Sequence, residues 1–168
     1  KIMTIRGLME RSVERVPGNV AVRWCEEKKW KFRTWLAFYK GVREIAEGYG
    51  KITELKPRVD NAAVILQNSP TWMEVYLAQS GAGVAVVPLD PKLHDEEVCY
   101  ILKDSEAKVV TTDTAHLKMM MNIVPRLPNL KHIVIVDGVI FDGQKIGDVN
   151  VIGLDKLRVK GGGAWYDA

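Results

Sequence analysis

The side chains of this 168-residue sequence with types suited to chemistry are few and scattered. His94, His116 and His132 form neither a His-Glu-x-x-His run nor an i,i+4 pair, so a zinc site is not expected. Asp95-Glu96-Glu97 could gather a cation, but acids in the first turn of a helix are explained by the helix dipole. Ser80 lies in Ala78-Gln79-Ser80-Gly81-Ala82, which lacks the first glycine of a nucleophile elbow. Cys25 and Cys99 are far apart and in no metal or redox spacing, so two reduced, buried thiols are expected. A nucleotide phosphate needs consecutive backbone N–H groups on a glycine-rich turn at a helix start. Gly81-x-Gly83 has no third glycine and precedes a strand, so it reads as a tight helix-to-strand turn. Gly161-Gly162-Gly163 reads as a flexible linker. No catalytic, cofactor-binding or metal-binding residue is therefore assigned.

Three residues are candidates for binding a substrate. Asn68 falls at the carboxyl end of an expected parallel strand, the edge where open α/β sheets hold ligands; its plainer reading is help in capping the next helix. Trp72 and Tyr76 lie one helical turn apart and either face an acyl pocket or pack on the sheet.

The elements that would position them follow from periodicity and punctuation. Thr4 caps a helix with Ile5, Leu8, Met9, Val13 and Val16 on one face. Val20–Trp24 and Trp30–Arg33 alternate around Glu26-Glu27-Lys28-Lys29, a β-hairpin pattern. Thr34 caps a second helix with Trp35, Phe38, Tyr39, Val42, Ile45, Ala46 and Tyr49 on its apolar face, ended by Gly48 and Gly50. Short β-branched runs then start at Ala62, Val84, Lys108 and His132, a regular pitch that belongs to βα repeats in a parallel sheet. Between them fall three helices. The first is capped by Ser69 with Pro70 at its first position and is apolar nearly all round over Thr71–Ala82, so it is expected to be buried. Asp95–Lys103 and the Met-rich Thr114–Val124 follow; Met119, Met120 and Met121 either line an acyl tunnel or pack on the sheet. The fold class expected is α/β: a parallel sheet of βα units with helices on both faces at 60–137, a helix–hairpin–helix lead-in at 1–50, and an irregular tail and linker at 138–168.

Composition limits the function classes. Hydrophobic residues make up 47% and charged residues 27%, as in an ordinary globular domain. The net charge of +3 is spread out apart from Lys28, Lys29, Lys31 and Arg33, which read as a solvated hairpin or a site for phosphate or anionic lipid. The Trp residues at 24, 30, 35 and 72 fall at positions fit for a core, which argues against nucleic acid. No apolar run approaches membrane-spanning length, and the two thiols suit a cytoplasmic compartment.

The order of motifs carries more. Asn68-Ser69-Pro70-x-Trp72, Gly81-Ala82-Gly83, Val86-Val87-Pro88-Leu89-Asp90-Pro91 and Glu96-Glu97-x-x-Tyr100-Ile101-Leu102-x-Asp104-Ser105-x-Ala107-Lys108-Val109-Val110 follow an apolar strand. This series resembles the N-terminal part of the adenylate-forming acyl-CoA synthetases, the AMP-binding superfamily, over roughly Thr4 to Asp137. Val59-Asp60-Asn61 stands where that family often has Gly-Asp; the Asp is kept and the Gly is not. Lys131–Asp137 is more similar to the long-chain branch than to the short-chain one.

The resemblance implies the front portion of the acetyl-CoA synthetase-like large domain. It implies a parent that joins a medium- or long-chain fatty acid to CoA through an acyl-adenylate, using ATP and magnesium. The family's Ser/Thr-Gly-rich loop ending in Pro-Lys-Gly, its later catalytic motifs and its C-terminal domain do not occur here, so the chain by itself is expected to be an inactive scaffold that needs no ATP, Mg or CoA. Partners implied are the fatty acid, the remainder of the synthetase, a peripheral membrane contact and a second copy in a homodimer. The alternative is a free-standing flavodoxin-like binding module without catalysis.

Overall fold

Local capping shapes the first third of the chain in the computed structural model, which describes residues 4–138 and 143–160. Thr4 Oγ1 accepts the Gly7 N–H at 3.0 Å and starts α1 (Ile5–Arg15). The apolar face expected of this helix is mostly not buried: Met9 is covered, while Ile5, Leu8 and Val16 are exposed. A helical period marks a face but does not say what will cover it. β1 (Val20–Glu26) and β2 (Lys29–Thr34) form the hairpin, with Glu27 and Lys28 at φ 49° and 62°. Two central residues with positive φ make the tight turn whose twist suits a two-residue hairpin. This ribbon is a separate two-stranded sheet. Two expectations fail here. Trp30 is 71% exposed, and Cys25 is exposed, leaving Cys99 as the buried thiol. The register pairs Cys25 with Trp30 and Arg23 with Phe32 on the outer face, which nothing covers among the described residues.

Thr34 Oγ1 accepts the Ala37 N–H and starts α2 (Trp35–Lys51). The helix runs through Gly48 and Gly50 instead of ending there. Gly48 has a packing reason: a Cβ at that position would stand 1.8 Å from the Leu157 carbonyl oxygen, so only glycine lets the later chain approach.

The main sheet has six strands. β3 (Asn61–Ile65), β4 (Ala85–Leu89), β5 (Val109–Thr112), β6 (His132–Ile135) and β8 (Val149–Gly153) are parallel, and β7 (Lys145–Ile146) is an antiparallel edge. The order is β4-β3-β5-β6-β8-β7. Helices α3 (Pro70–Gly81), α4 (Asp95–Asp104), α5 (Leu117–Ile123) and α6 (Leu154–Leu157) complete the chain order. Alternate strand residues feed two cores. Ala62, Val64, Val109 and Val134 pack with α2, α3 and α6 through Val42, Ile45, Val75 and Leu157. Ala63, Ile65, Val110 and Ile133 pack with α4 and α5 through Val98, Leu102, Met120 and Ile123. Helices thus cover both faces, as expected.

Four local differences have physical reasons. Pro88, expected from the sequence to end the strand Val84–Val87, lies inside β4; β4 is an edge strand, so the missing N–H costs no ladder bond on the outer side. The stretch 114–124 is not one helix: a 3-10 turn at Thr114–His116 leads into α5, and a second at Val124–Arg126 leaves it. The tail expected to be irregular at 138–168 carries β7, β8 and α6 in its described part; the described residues of the connection from β6 hold no helix, so the βα pitch gives no signal there. Gly161–Gly163 lie outside the described residues. Finally, the buried side of α3 is not wholly apolar. Glu74 and Gln79 are fully buried there, Trp72 and Tyr76 are half-buried, and Met73 is exposed.

Candidate functional site

The strand order places a topological switch between β3 and β5, because the chain leaves β3 in one direction to β4 and returns past it to β5. Open parallel sheets hold ligands at the carboxyl ends of such strands. There the chain passes from β3 through Leu66, Gln67 and Asn68 into α3. Ser69 Oγ accepts the Trp72 N–H at 3.0 Å and supplies the cap, so Asn68 stands exposed beside the cap instead of making it. A cleft of about 410 Å³ opens between this turn and the end of β4, lined by Gln67, Asn68, Trp72, Pro88, Asp90 and Lys92. Tyr76 stacks on the Trp72 ring, with centroids 5.2 Å apart and planes 14° apart. The structure therefore brings Asn68 and Trp72 to one cleft and sets Tyr76 behind Trp72 as support for the ring.

A fourth residue shapes this edge. His116 follows β5 and reaches the chain that follows β4. Its Nδ1 lies 2.6 Å from Asp113 Oδ1 and its Nε2 lies 3.0 Å from the Pro91 carbonyl. Both partners are acceptors, so the two contacts are hydrogen bonds at the same time only when the ring is an imidazolium. Burial alone would lower its pKa; the Pro91 carbonyl and the Asp113 carboxylate outweigh burial and raise it above the ordinary 6.5. Since β4 and β5 flank β3, the latch spans the end of β3 and fixes the Asp90–Lys92 side of the cleft. Beside it, Asp137 accepts from the Thr114 N–H and Oγ1, each at 2.8 Å, and ties the end of β6 to the end of β5. Sequence reasoning passed over His116 because it sought metal spacings; the signal available was Asp113-x-x-His116.

A folded-state pKa above the unfolded one gives a stabilisation that is full below the unfolded value and lost as pH rises through the folded one. The stability difference between this chain and His116→Gln is thus expected to be largest below about pH 6.5 and to shrink above it. Urea unfolding of both proteins from about pH 5 to 9 checks this, and a difference flat in pH would rule out the imidazolium. His132, whose pKa burial lowers against an opposing pull from Glu54, is common to both proteins and cancels.

The remaining candidates do other work. Glu97 accepts from the His94 N–H at 2.9 Å, Glu96 takes a two-pronged bond from Arg126, and Asp95 accepts from Asn122, so this acid run starts α4 and holds α5. The three histidines do not converge: His94 starts α4, His116 is at the carboxyl edge and His132 opens β6 at the amino edge. Among the described residues no group of three or more His, Cys, Asp or Glu side chains could hold a metal ion. Arg33 is not a solvated member of the basic hairpin; together with Arg158 it binds the buried Glu74. Asp60, the Asp kept from the family pattern, is buried. Burial would raise its carboxyl, but Lys108 at 2.6 Å and the Lys56 N–H at 2.8 Å hold it below its ordinary range.

Neither the Gly81–Gly83 turn nor the start of α3 fits a triphosphate. Gly83 has φ 76° and a Cβ there would meet Pro57 at 3.0 Å, so the Gly81–Gly83 turn is packed. At the start of α3, Pro70 has no N–H, and Ser69 already takes those of Trp72 and Met73. No step of nucleotide chemistry is derived from these residues.

Comparison with known proteins agrees with the geometry. A model of the AMP-binding enzyme family matches residues 9–150. The medium-chain-fatty-acid–CoA ligase of Ectopseudomonas oleovorans is 35% identical over 94 residues, covering 56% of this chain and 17% of that protein. The N-(5-amino-5-carboxypentanoyl)-L-cysteinyl-D-valine synthase of Amycolatopsis lactamdurans is 27% identical over 113 residues, 67% of this chain and 3% of that protein. The chain thus spans a small part of these relatives. A protein from Rhodopseudomonas palustris CGA009 assigned as a long-chain-fatty-acid CoA ligase superposes with a TM-score of 0.78 at 17% identity, over 96% of this chain and 37% of that one. The coronafacic acid ligase from Pectobacterium brasiliense gives 0.78 at 16% identity, over 97% and 30%. At such identities the superpositions speak for the fold alone, that of the front part of acyl-CoA ligase structures; the match over 9–150 places the chain in the AMP-binding enzyme family.

Proposed function

We propose that this chain is the N-terminal scaffold segment of an ATP-dependent acyl-CoA ligase acting in the cytoplasm on a medium- or long-chain fatty acid. The observation that carries the reading is the family match over 9–150, joined to the 35% identity with a medium-chain-fatty-acid–CoA ligase. In the proposed reaction the carboxylate attacks ATP to give an acyl-adenylate and pyrophosphate, and the CoA thiol then displaces AMP. Magnesium accompanies ATP. The phosphates are held by parts of the parent outside this chain, since the turns described above do not suit them. This segment supplies the sheet edge, and Asn68, Trp72 and Tyr76 are the proposed substrate-side residues. The remainder of the synthetase is its partner. A free-standing flavodoxin-like module would share the strand order but leaves the family match unexplained.

The test compares the parent reading frame with the chain by itself. The parent is expected to release pyrophosphate in the presence of fatty acids, whereas the 168-residue chain shows neither turnover nor saturable ATP binding in the millimolar range or tighter. Alignment of reactants alone is worth roughly 7–11 kcal/mol of barrier, and scattered Lys and Arg cannot supply it. Turnover by the chain alone would overturn the scaffold reading; a parent inactive with every fatty acid would overturn the substrate class.

A further inference from the structure

The turn that follows β4 is a small closed unit. Asp90 Oδ1 accepts the Lys92 N–H at 2.9 Å, and the Asp90 carbonyl accepts the Leu93 N–H at 3.1 Å. These bonds hold residues 90–93 to one another, so the turn shifts as a body. Among the described residues, the hydrogen bond that joins Pro91, Lys92 or Leu93 to a distant element is the one from His116 Nε2 to the Pro91 carbonyl. Asp90, Pro91 and Lys92 line the cleft that also holds Asn68 and Trp72. Both partners of the bond belong to this chain, so it does not depend on what covers the cleft.

We infer that His116 is a positioning residue whose protonation sets this wall of the cleft: the charged ring holds the Pro91 carbonyl, and the neutral ring releases the turn at 90–93. Asp113 Oδ1, at 2.6 Å, is a carboxylate and the nearer acceptor, so a neutral ring keeps its one proton on Nδ1. Nε2 then turns a lone pair toward the Pro91 carbonyl oxygen, and attraction becomes repulsion. The loss therefore falls on the Pro91 side and spares the Asp113 side. The charged groups on the elements that meet here are otherwise engaged or exposed. Asp137 takes the Thr114 N–H and Oγ1, Asp95 takes Asn122, and Asp90 takes the Lys92 N–H. Lys92 and Lys118 are exposed, and Asp113 is the charge that acts on the ring. A ligand that leans on this wall should bind about three- to tenfold more weakly once the ring is neutral, the worth of one hydrogen bond. For a fatty acid this consequence rests on the acyl-CoA ligase reading above; the latch itself does not.

Two-dimensional NMR of the 168-residue chain across neutral pH tests the latch. The Asp90 and Lys92 amide signals are expected to shift with the midpoint of the His116 ring protons, above about pH 6.5. In His116→Gln they should stay still through that range. His94, two residues past Lys92, is retained in this variant and serves as the control. A cooperative urea transition shows that each protein is folded. In the parent, the KM for octanoate, the probe acid, should rise about three- to tenfold through the same midpoint, with no matching change in the KM for ATP. His116→Arg keeps charged donors at every pH, so it should hold the low KM and flatten the rise. Amide signals that do not follow the ring, or that titrate equally in His116→Gln, would overturn the latch. An octanoate KM with the same pH profile in the parent sequence, His116→Gln and His116→Arg would overturn its effect on substrate. A parent inactive with every fatty acid would overturn the ligase reading instead, and the NMR titration decides the latch in either case.

Discussion

Glu74→Ala is expected to lower the unfolding free energy by about 3 kcal/mol, the low end of the roughly 3–5 kcal/mol range for breaking a buried ion pair. Glu74 is fully buried in α3, between Arg33 from the hairpin and Arg158 from the segment after α6. Its Oε2 accepts from Arg158 Nη2 at 2.9 Å, and Arg158 also donates to the Gly41 carbonyl. Removing the carboxylate leaves two guanidiniums without their counter-charge. The low end is chosen because the Arg33 side chain is 37% exposed and can turn to water, while that of Arg158, at 20%, is less able to. Gly41 belongs to the same arrangement: a Cβ there would press on the Glu74 carboxylate. Glu74→Gln keeps the volume and one acceptor, so its loss should be smaller. Urea unfolding at neutral pH measures both. If Glu74→Ala loses under about 1 kcal/mol, both arginines find water and the network does not clamp the hairpin to the tail.

Leu102→Ala should cost about 3 kcal/mol, inside the roughly 2–5 kcal/mol range for truncating a buried leucine. Leu102 is 2% exposed on the inner side of α4, in the cluster that contains Ile65, Val98, Val110 and Ile133. Ile101 packs partly beside it, while Glu96, Glu97 and Lys103 face water. Met120 in the same cluster is a flexible filler that can take up part of the cavity, which keeps the estimate off the top of the range. Chemical denaturation gives the value, and a loss under about half a kcal/mol would mean that α4 turns another face to the sheet.

Much of the fold was legible in the sequence because the deciding forces are local. Thr4, Thr34 and Ser69 cap the helices they were expected to cap, since a hydroxyl three residues before a free N–H acts without help from distant chain. The pitch of β-branched runs foretold four parallel strands, and the motif order from Asn68 to Val110 pointed to the family. The β8 strand left no such mark, because five residues ending in Gly153, with no helical pattern in the sequence before them, look like loop.

What only the tertiary structure decided concerns partners. Glu74 and Gln79 lie in a helix read from the sequence as apolar nearly all round; they are buried because Arg33, Arg158, Tyr49 and the Ala63 carbonyl arrive from other elements to bond them. Gly48 looked like a helix end and is instead the place where Leu157 comes closest. His116 looked unpaired, yet the strand order carries the Pro91 carbonyl to its second nitrogen. Periodicity reports which side of an element is apolar, but whether that side meets a neighbour depends on distant segments: Met9 found one, whereas Trp30 and Phe32 did not among the described residues.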